Sequence, residues 1–254
     1  AFFDDLPKVA ATYAIPLDLA ARHGLRRFGF HGFAHKALWR KWSERHPDLP
    51  DGGRLVSLQL GSGCSAAAIR KGLPFDTSMG YTPIEGLVMS TRSGDVDPGV
   101  LLELQRKEGL DVDGLQRLLE HESGLKGISG SSGDMRELLA DSGKPAARLA
   151  VEVFCYRVRK SVGAYLAVLG GADGIVFGGG IGENTPDVRA RCLSGLDTLG
   201  IVLDDEANHA TVGRDGPISA PGPIAVEVLV VDEAAEMARE AASYLTNSEG
   251  MVRS

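Results

Sequence analysis

Ala172-Asp173-Gly174-Ile175-Val176-Phe177-Gly178-Gly179-Gly180-Ile181-Gly182 is the stretch that decides the fold class. Its first half is a short apolar run of strand length, and the glycines that follow break it. Thr185-Pro186 then supplies a cap and a first-turn proline for a helix reaching about Leu199. A buried strand turning through glycine into a helix is a building block of α/β domains. Glycines let backbone N–H groups approach a nucleotide, and a helix N-terminus favours phosphate; a plain strand–helix turn has the same pattern. The dinucleotide fingerprint G-x-G-x-x-G is not met. Counted from Gly178 or Gly180, its third glycine is replaced by Glu183 or Thr185, although Ile201-Val202-Leu203-Asp204 follows at a suitable distance. A dehydrogenase reading fails on that glycine.

Outward from this core, residues 146–169 predict the strongest helix, with Phe154, Val158, Val162, Tyr165, Leu166 and Leu169 on one stripe. Leu55–Leu60, a Gly61-Ser62-Gly63 turn and Cys64–Ile69 predict a hairpin. Residues 7–23 predict a helix that Pro16 kinks or ends, and His31–Arg45 a second one. Short helices are expected at 99–107 and 113–121, a strand at 224–231, and a helix capped by Asp232 running to about Leu245. Residues 78–99 are rich in glycine, serine and proline and predict a long ordered loop, a type that is usually functional. The tail, 246–254, is expected to be disordered. Hairpins followed by strand–helix alternation predict an α/β domain with a mixed sheet flanked by helices.

The chain has 254 residues, 33 of them glycine, and a formal net charge of −7. That balance gives no basic footprint for nucleic acid. No apolar run approaches the ~18 residues needed to span a bilayer. Cys64, Cys155 and Cys192 are too widely spaced for a disulfide framework or zinc site and suggest a reducing, cytoplasmic setting. The first residue is not Met, so a processed chain or part of a longer one is expected.

Several residues admit both a functional and a structural reading. Gly61-Ser62-Gly63 could be a phosphate-facing backbone nest or a tight turn. Arg92 could clamp an anion or sit in solvent. His31 and His35 have the spacing of a helical metal pair but also of capping or core histidines. Asp95-Val96-Asp97 imitates the start of a calcium loop, but Arg106 stands where the bidentate glutamate is needed. Glu122–Arg136 could touch a ribose or base, or merely cap a helix.

Taken together, several segments resemble one family, the acetate kinases. Arg26-Arg27-Phe28-Gly29-Phe30-His31-Gly32 is similar to its R-R-Y-G-F-H-G segment. Asp76-Thr77-Ser78-Met79-Gly80-Tyr81-Thr82-Pro83-Ile84-Glu85-Gly86 is similar to D-T-S-M-G-F-T-P-L-E-G, and Thr91–Pro98 continues it. Ser123–Gly130 with Asp134-Met135-Arg136 resembles the adenosine-contacting segment, and Gly180–Asn184 the second nucleotide loop.

The resemblance implies an actin-like ATPase (ribonuclease H-like) fold and Mg2+-dependent phosphoryl transfer between ATP and acetate. By position it assigns charge stabilisation at the phosphoryl group to His31 and Arg92, and the phosphate cradle to Gln59, Leu60, Gly61, Ser62 and Gly63. Adenosine contacts fall to Asp134, Met135 and Arg136 with Gly180, Ile181, Gly182, Glu183 and Asn184. Glu233 would help hold Mg2+, through water. Gln59 and Ser62 depart from the family's H-L-G-N-G, and Val231-Asp232-Glu233-Ala234 keeps only the first glutamate of T-N-E-E. The family's catalytic aspartate and first domain would lie upstream of Ala1. Residues 1–233 would then be the second actin-like domain, and 234–245 a closing helix packing on the first. A homodimer is implied. Propionate or butyrate kinases and a non-catalytic nucleotide-binding or dimerisation module are the alternatives.

Overall fold

The computed structural model describes residues 2–232 and 234–239. Its centre is a six-stranded sheet formed by β1 (Arg54–Leu60), β2 (Cys64–Arg70), β3 (Leu73–Thr77), β4 (Gly174–Gly178), β5 (Gly216–Pro217) and β6 (Ala225–Val228), in the order β3-β2-β1-β4-β6-β5. β1 pairs antiparallel with β2, Leu60 opposite Cys64, so Gly61–Gly63 is the hairpin tip. β1 also runs parallel to β4, and β4 parallel to β6. The carboxyl ends of β1 and β4, each followed by glycine (Gly61 and Gly179), therefore emerge side by side. Crevices outside such ends are the usual ligand sites of α/β sheets.

Both faces of the sheet are covered, so β4 carries no polar side chain and the Ser57 and Gln59 side chains of β1 are buried. Along β1, Val56, Leu58 and Leu60 face one large core that includes Phe154, Val158 and Val162 of the long helix α8 (Pro145–Leu169). Leu55 faces the other core, shared with Leu38 and Trp42 of α3 (Gly32–Arg45) and with Phe3. The predicted α8 stripe is buried throughout. Each such side chain contributes about 1.5–3 kcal/mol by leaving water.

Elsewhere the chain is more broken than its periodicity suggests. Pro16 separates two short helices, α1 (Lys8–Ala11) and α2 (Leu17–His23). The loop over 78–97 contains no regular element and leads into α4 (Pro98–Glu108). It is pinned by Arg27, which pairs with Glu85 at 2.5 Å and donates to the Thr77 and Ser78 carbonyls. α5 (Val112–Arg117) is followed by a π turn over 118–122. The polar stretch 122–136 holds the starts of two further helices, α6 (Gly124–Ser129) and α7 (Met135–Ala140). The glycine segment after β4 is itself a helical turn, α9 (Gly179–Asn184), because its backbone closes on itself instead of forming a loop. The helix expected to reach Leu199 stops earlier: α10 covers Pro186–Leu193, and α11 (Asp205–Ala210) follows a 3-10 turn. The last strand is also shorter than 224–231, because only Ala225–Val228 finds partners in β4. Edge strands β3 and β5 escape the periodicity. β3 is interrupted by Pro74 and a register shift, and β5 has two residues.

Of the expected closing helix, residues 234–239 are described and are helical. The Glu236 carboxylate, buried there, pairs with Arg40 of α3 at 3.3 Å. The tail and Glu233 lie outside the described residues.

Candidate functional site

A cleft of about 530 Å³ opens where the hairpin tip meets α9. It is lined by Gly61, Ser62, Ser90, Gly133, Asp134, Met135, Arg136, Gly180, Ile181, Asn184 and Thr185. Of the residues singled out in the sequence, the hairpin tip, the Asp134–Arg136 segment and the exposed side of α9 thus meet in one place. Ser90 and Gly133, which lie in the flagged stretches 78–99 and 122–136 but are not singled out individually by the sequence, join them. The Ser90 N–H donates to the Ser62 carbonyl at 3.0 Å, tying the 78–97 loop to the hairpin. A Cβ on Gly133 would sit 2.7 Å from the Ser90 carbonyl oxygen, so only glycine fits that close approach.

Polar groups in the cleft are held locally. Asp134 caps α7 by accepting from the Arg136 N–H at 2.8 Å, and its carboxylate pairs with the Arg136 guanidinium at 2.6 Å. The hydrogen bond from Arg136 pulls the Asp134 carboxyl down to about 2, so it is ionised at neutral pH. The Asn184 side-chain amide donates to the Gly180 carbonyl. Ile181 and Met135 supply apolar wall. Such a crevice, apolar with a few fixed polar groups, suits a planar heterocycle and its sugar.

Other sequence candidates stand behind the wall. Leu60 is wholly buried in the core. Gln59 is buried on the α3 face of β1, and Gly182 packs against Phe177. Glu183 turns inward: its Oε1 accepts from the Gly179 N–H at 2.9 Å and the Val231 N–H at 3.1 Å. The Gly179 N–H is therefore already occupied, and Gly180, Ile181 and Asn184 form the side of this turn that faces the cleft.

Beside the hairpin tip, His31 and Arg92 converge. Neither lines the cleft itself, yet a Cβ added to Gly63 would lie 3.3 Å from His31 Nε2 and 3.5 Å from Arg92 Nη1. Arg92 is anchored by donating from Nη1 to the Pro83 carbonyl at 3.2 Å. His31 precedes α3 in the left-handed region, with φ 57°. Burial, with the Arg92 charge adding to it, lowers the His31 pKa, so the imidazole is neutral at physiological pH. His31 and His35 do not form a metal pair: both bond the Ser65 hydroxyl, at 2.8 Å. His35 is fully buried, and that burial holds its pKa at about 3. The Cys64 thiol, pushed up to about 12 by burial, donates to the Gly61 carbonyl and is no nucleophile.

The calcium-like aspartates serve the backbone. Asp95 accepts from the Gly86 N–H at 2.8 Å and Asp97 caps α4 through the Gly99 N–H at 2.7 Å. Among the described residues there is no group of three His, Cys, Asp or Glu side chains placed to hold a metal.

Sequence inspection passed over Arg189. It is wholly buried on α10, and its guanidinium donates to the carbonyls of Gly182, Glu183, Asn208 and Thr211 and to Asn208 Oδ1, at 2.7–3.1 Å. It thus holds the end of α9 against α11. Burial lowers its pKa to about 10, which leaves it charged at neutral pH. Its only sequence signal is an arginine beside Val188 on a face that should be apolar.

Strand order, the antiparallel hairpin beside two parallel strands, and a cleft between two glycine turns define the actin-like ATPase class of α/β fold. The chain belongs to the acetokinase family, whose model matches residues 1–239. Acetate kinase of Solibacter usitatus is 45% identical over 244 residues, 94% of this chain and 59% of that protein. Acetate kinase of Chloroherpeton thalassium is 47% identical over 226 residues, 87% of this chain and 54% of that protein. Among solved structures, Porphyromonas gingivalis acetate kinase superimposes with a TM-score of 0.93 at 40% identity, covering 96% of this chain and 62% of that one. A propionate kinase from Francisella tularensis does so with a TM-score of 0.88 at 36% identity, over 94% and 61%. The chain thus spans about three fifths of the length of these relatives. Among the described residues no helix is long and apolar enough to cross a membrane.

Proposed function

We propose that this chain forms the nucleotide-binding part of an acetate kinase, which transfers a phosphoryl group reversibly between ATP and acetate to give ADP and acetyl phosphate. The observation that carries this reading is the convergence of His31 Nε2 and Arg92 Nη1 over Gly63, at the edge of the cleft lined by Asp134, Met135, Arg136 and Gly180. Phosphoryl transfer needs positioning and charge stabilisation more than covalent help from the protein. The Arg92 guanidinium supplies fixed positive charge, and the neutral His31 supplies a hydrogen-bond donor. Gly61 and Ser62 give backbone against the phosphates, and Asp134, with Met135, Arg136, Ile181 and Asn184, holds the adenosine.

Mg2+ bound through phosphate oxygens and water needs few protein ligands. Glu233 is the candidate carboxylate for that mode. The cation would neutralise phosphate charge. A homodimer and a cytoplasmic setting complete the proposal, and the free Cys64, Cys155 and Cys192 suit a reducing compartment.

Calorimetry with Mg-ADP and Mg-ATP tests the nucleotide site. Weak binding is expected, and no binding at millimolar nucleotide would sink the reading. A hydroxamate assay with acetate, propionate and butyrate then separates the carboxylates. Slow turnover is expected from this chain alone. Turnover favouring propionate or butyrate would replace acetate as the substrate. Binding with no turnover on any carboxylate, even when the chain is joined to the relatives' remaining length, would favour a non-catalytic module.

A further inference from the structure

Ser65 Oγ lies 2.8 Å from His31 Nδ1 and 2.8 Å from His35 Nε2, while His35 Nδ1 lies 2.8 Å from Ser57 Oγ. Ser57, Ser65 and His35 are fully buried, so bulk water does not substitute for a missing partner. The Phe3 ring packs against His35 in a T-shaped contact, and the Arg92 charge acts on His31. A hydroxyl has one proton and two lone pairs, so Ser65 cannot donate to both imidazoles, and accepting from both would leave its own proton without an acceptor among these buried groups; Ser65 therefore donates to one imidazole and accepts from the other. His35, neutral, carries a single N–H.

Two arrangements satisfy every partner. In the first, His35 Nε2–H donates to Ser65, Ser65 donates to His31 Nδ1, and His31 carries its proton on Nε2. In the second, Ser65 donates to His35 Nε2, His31 Nδ1–H donates to Ser65, and His31 Nε2 is bare. Neutral His31 and His35 therefore carry their protons on the same-named nitrogen. Since Nε2 is the His31 atom nearest Gly63, only the first arrangement turns an N–H toward the hairpin tip.

We propose that Ser65 is a positioning residue that couples the proton placement of His31 to that of His35, so that His31 offers Nε2–H to the phosphoryl group only when His35 is also protonated on Nε2. The functional consequence rests on the reading of His31 given above, but the coupling itself is measurable without turnover. Ser57 acts one bond further away, because its hydroxyl must donate to His35 Nδ1 in the productive arrangement.

The test is a two-bond proton–nitrogen correlation spectrum of the chain labelled with 15N at histidine, at about pH 8, where both imidazoles are neutral. His31 is assigned by its loss in His31→Gln, and His35 as the imidazole that does not titrate down to about pH 5. Matching tautomers are expected, or equal averaging in both rings; opposite tautomers would overturn the proposal. In Ser65→Ala the match should be lost, with His31 giving the averaged pattern of a free imidazole; an unchanged single tautomer there would also overturn it. If Ser65→Ala does not fold, Ser57→Ala leaves both Ser65 bonds intact, and His31 must follow whichever tautomer His35 adopts; divergence between the two rings refutes the coupling. Mg-ADP calorimetry on the same sample keeps the two claims apart. Failure to bind nucleotide would remove the proposed function while leaving the tautomer match to stand or fall by itself.

Discussion

The two glycine turns at the carboxyl ends of β1 and β4 solve different problems with the same residue. At the hairpin tip, Gly63 makes room: a Cβ would meet His31 Nε2 at 3.3 Å and Arg92 Nη1 at 3.5 Å. After β4, Gly179 makes a conformation: its φ is +76°, and a Cβ would meet the Leu60 carbonyl oxygen at 2.7 Å. Flexible side-chain tips surround the first turn and fixed backbone the second. On the proposed function, a substitution at the first turn is expected to act on turnover and one at the second on folding. Support follows the same division. Behind the hairpin stands the neutral chain of Ser65, His35 and Ser57, and behind the helical turn stands the buried cation of Arg189.

The hardest blow to this contrast is Arg189→Ala. It leaves the carbonyls of Gly182, Glu183, Asn208 and Thr211 and the Asn208 side chain short of a buried donor, and should cost about 4 kcal/mol or more. Urea unfolding measures it; a loss under ~1 kcal/mol would mean that water or Asn208 replaces the guanidinium. Next, Gly179→Ala should cost about 2–4 kcal/mol, from left-handed strain plus the backbone clash. Thermal unfolding at unchanged protein concentration reads that loss.

Acid should strike the hairpin's support. His35 has a pKa of about 3 in the folded chain, against about 6.5 when unfolded. The unfolded state therefore takes up the proton first. Stability from keeping His35 neutral is fully present above pH ~6.5 and is lost as pH falls toward 3, at up to ~1.4 kcal/mol per unit. Between pH 6.5 and 4.5 the loss should be about 2–3 kcal/mol. His35→Gln should flatten that slope, and an equally steep profile in the variant would assign the acid sensitivity elsewhere.

The smallest effect on stability, and the sharpest on function, belongs to Gly63→Ala. Folding should change by less than about 1 kcal/mol, because only side-chain ends must give way. Turnover in the joined enzyme should nonetheless fall about a hundredfold, as expected when reacting groups shift by about an ångström. Equal loss of stability and activity would erase the distinction between the turns.

Much of this was legible beforehand where one local cause acts alone. The α8 stripe, the hairpin over 54–70 and the Pro16 break follow from periodicity, turn glycines and a missing N–H. The site was legible only in pieces. Asp134, Gly180, His31 and Arg92 were visible as chemistry without neighbours. The resemblance to acetate kinases, not spacing, suggested that they meet. Glu183 illustrates the limit: it lies within the glycine motif, yet its carboxylate serves the Gly179 and Val231 N–H groups because a short helix leaves its first donors unpaired. Asp95 and Asp97 likewise look like cation ligands and are used by turns. Ser65 and Arg189 carried almost no signal, since a buried serine in a strand and an arginine on a helix acquire meaning only from partners far along the chain.

The sequence by itself determined the principal elements (the long helix α8, the β1–β2 hairpin and strand β4), where glycine turns the chain and which family the chain resembles. These depend on short-range sterics, hydrogen bonding and apolar period. Tertiary structure decided which polar atoms face the cleft, which are consumed by backbone, and how His31 is supported. Those outcomes depend on atoms tens of residues apart competing for a limited number of buried donors and acceptors, and the competition is settled only when the sheet brings β1, β4 and α3 together.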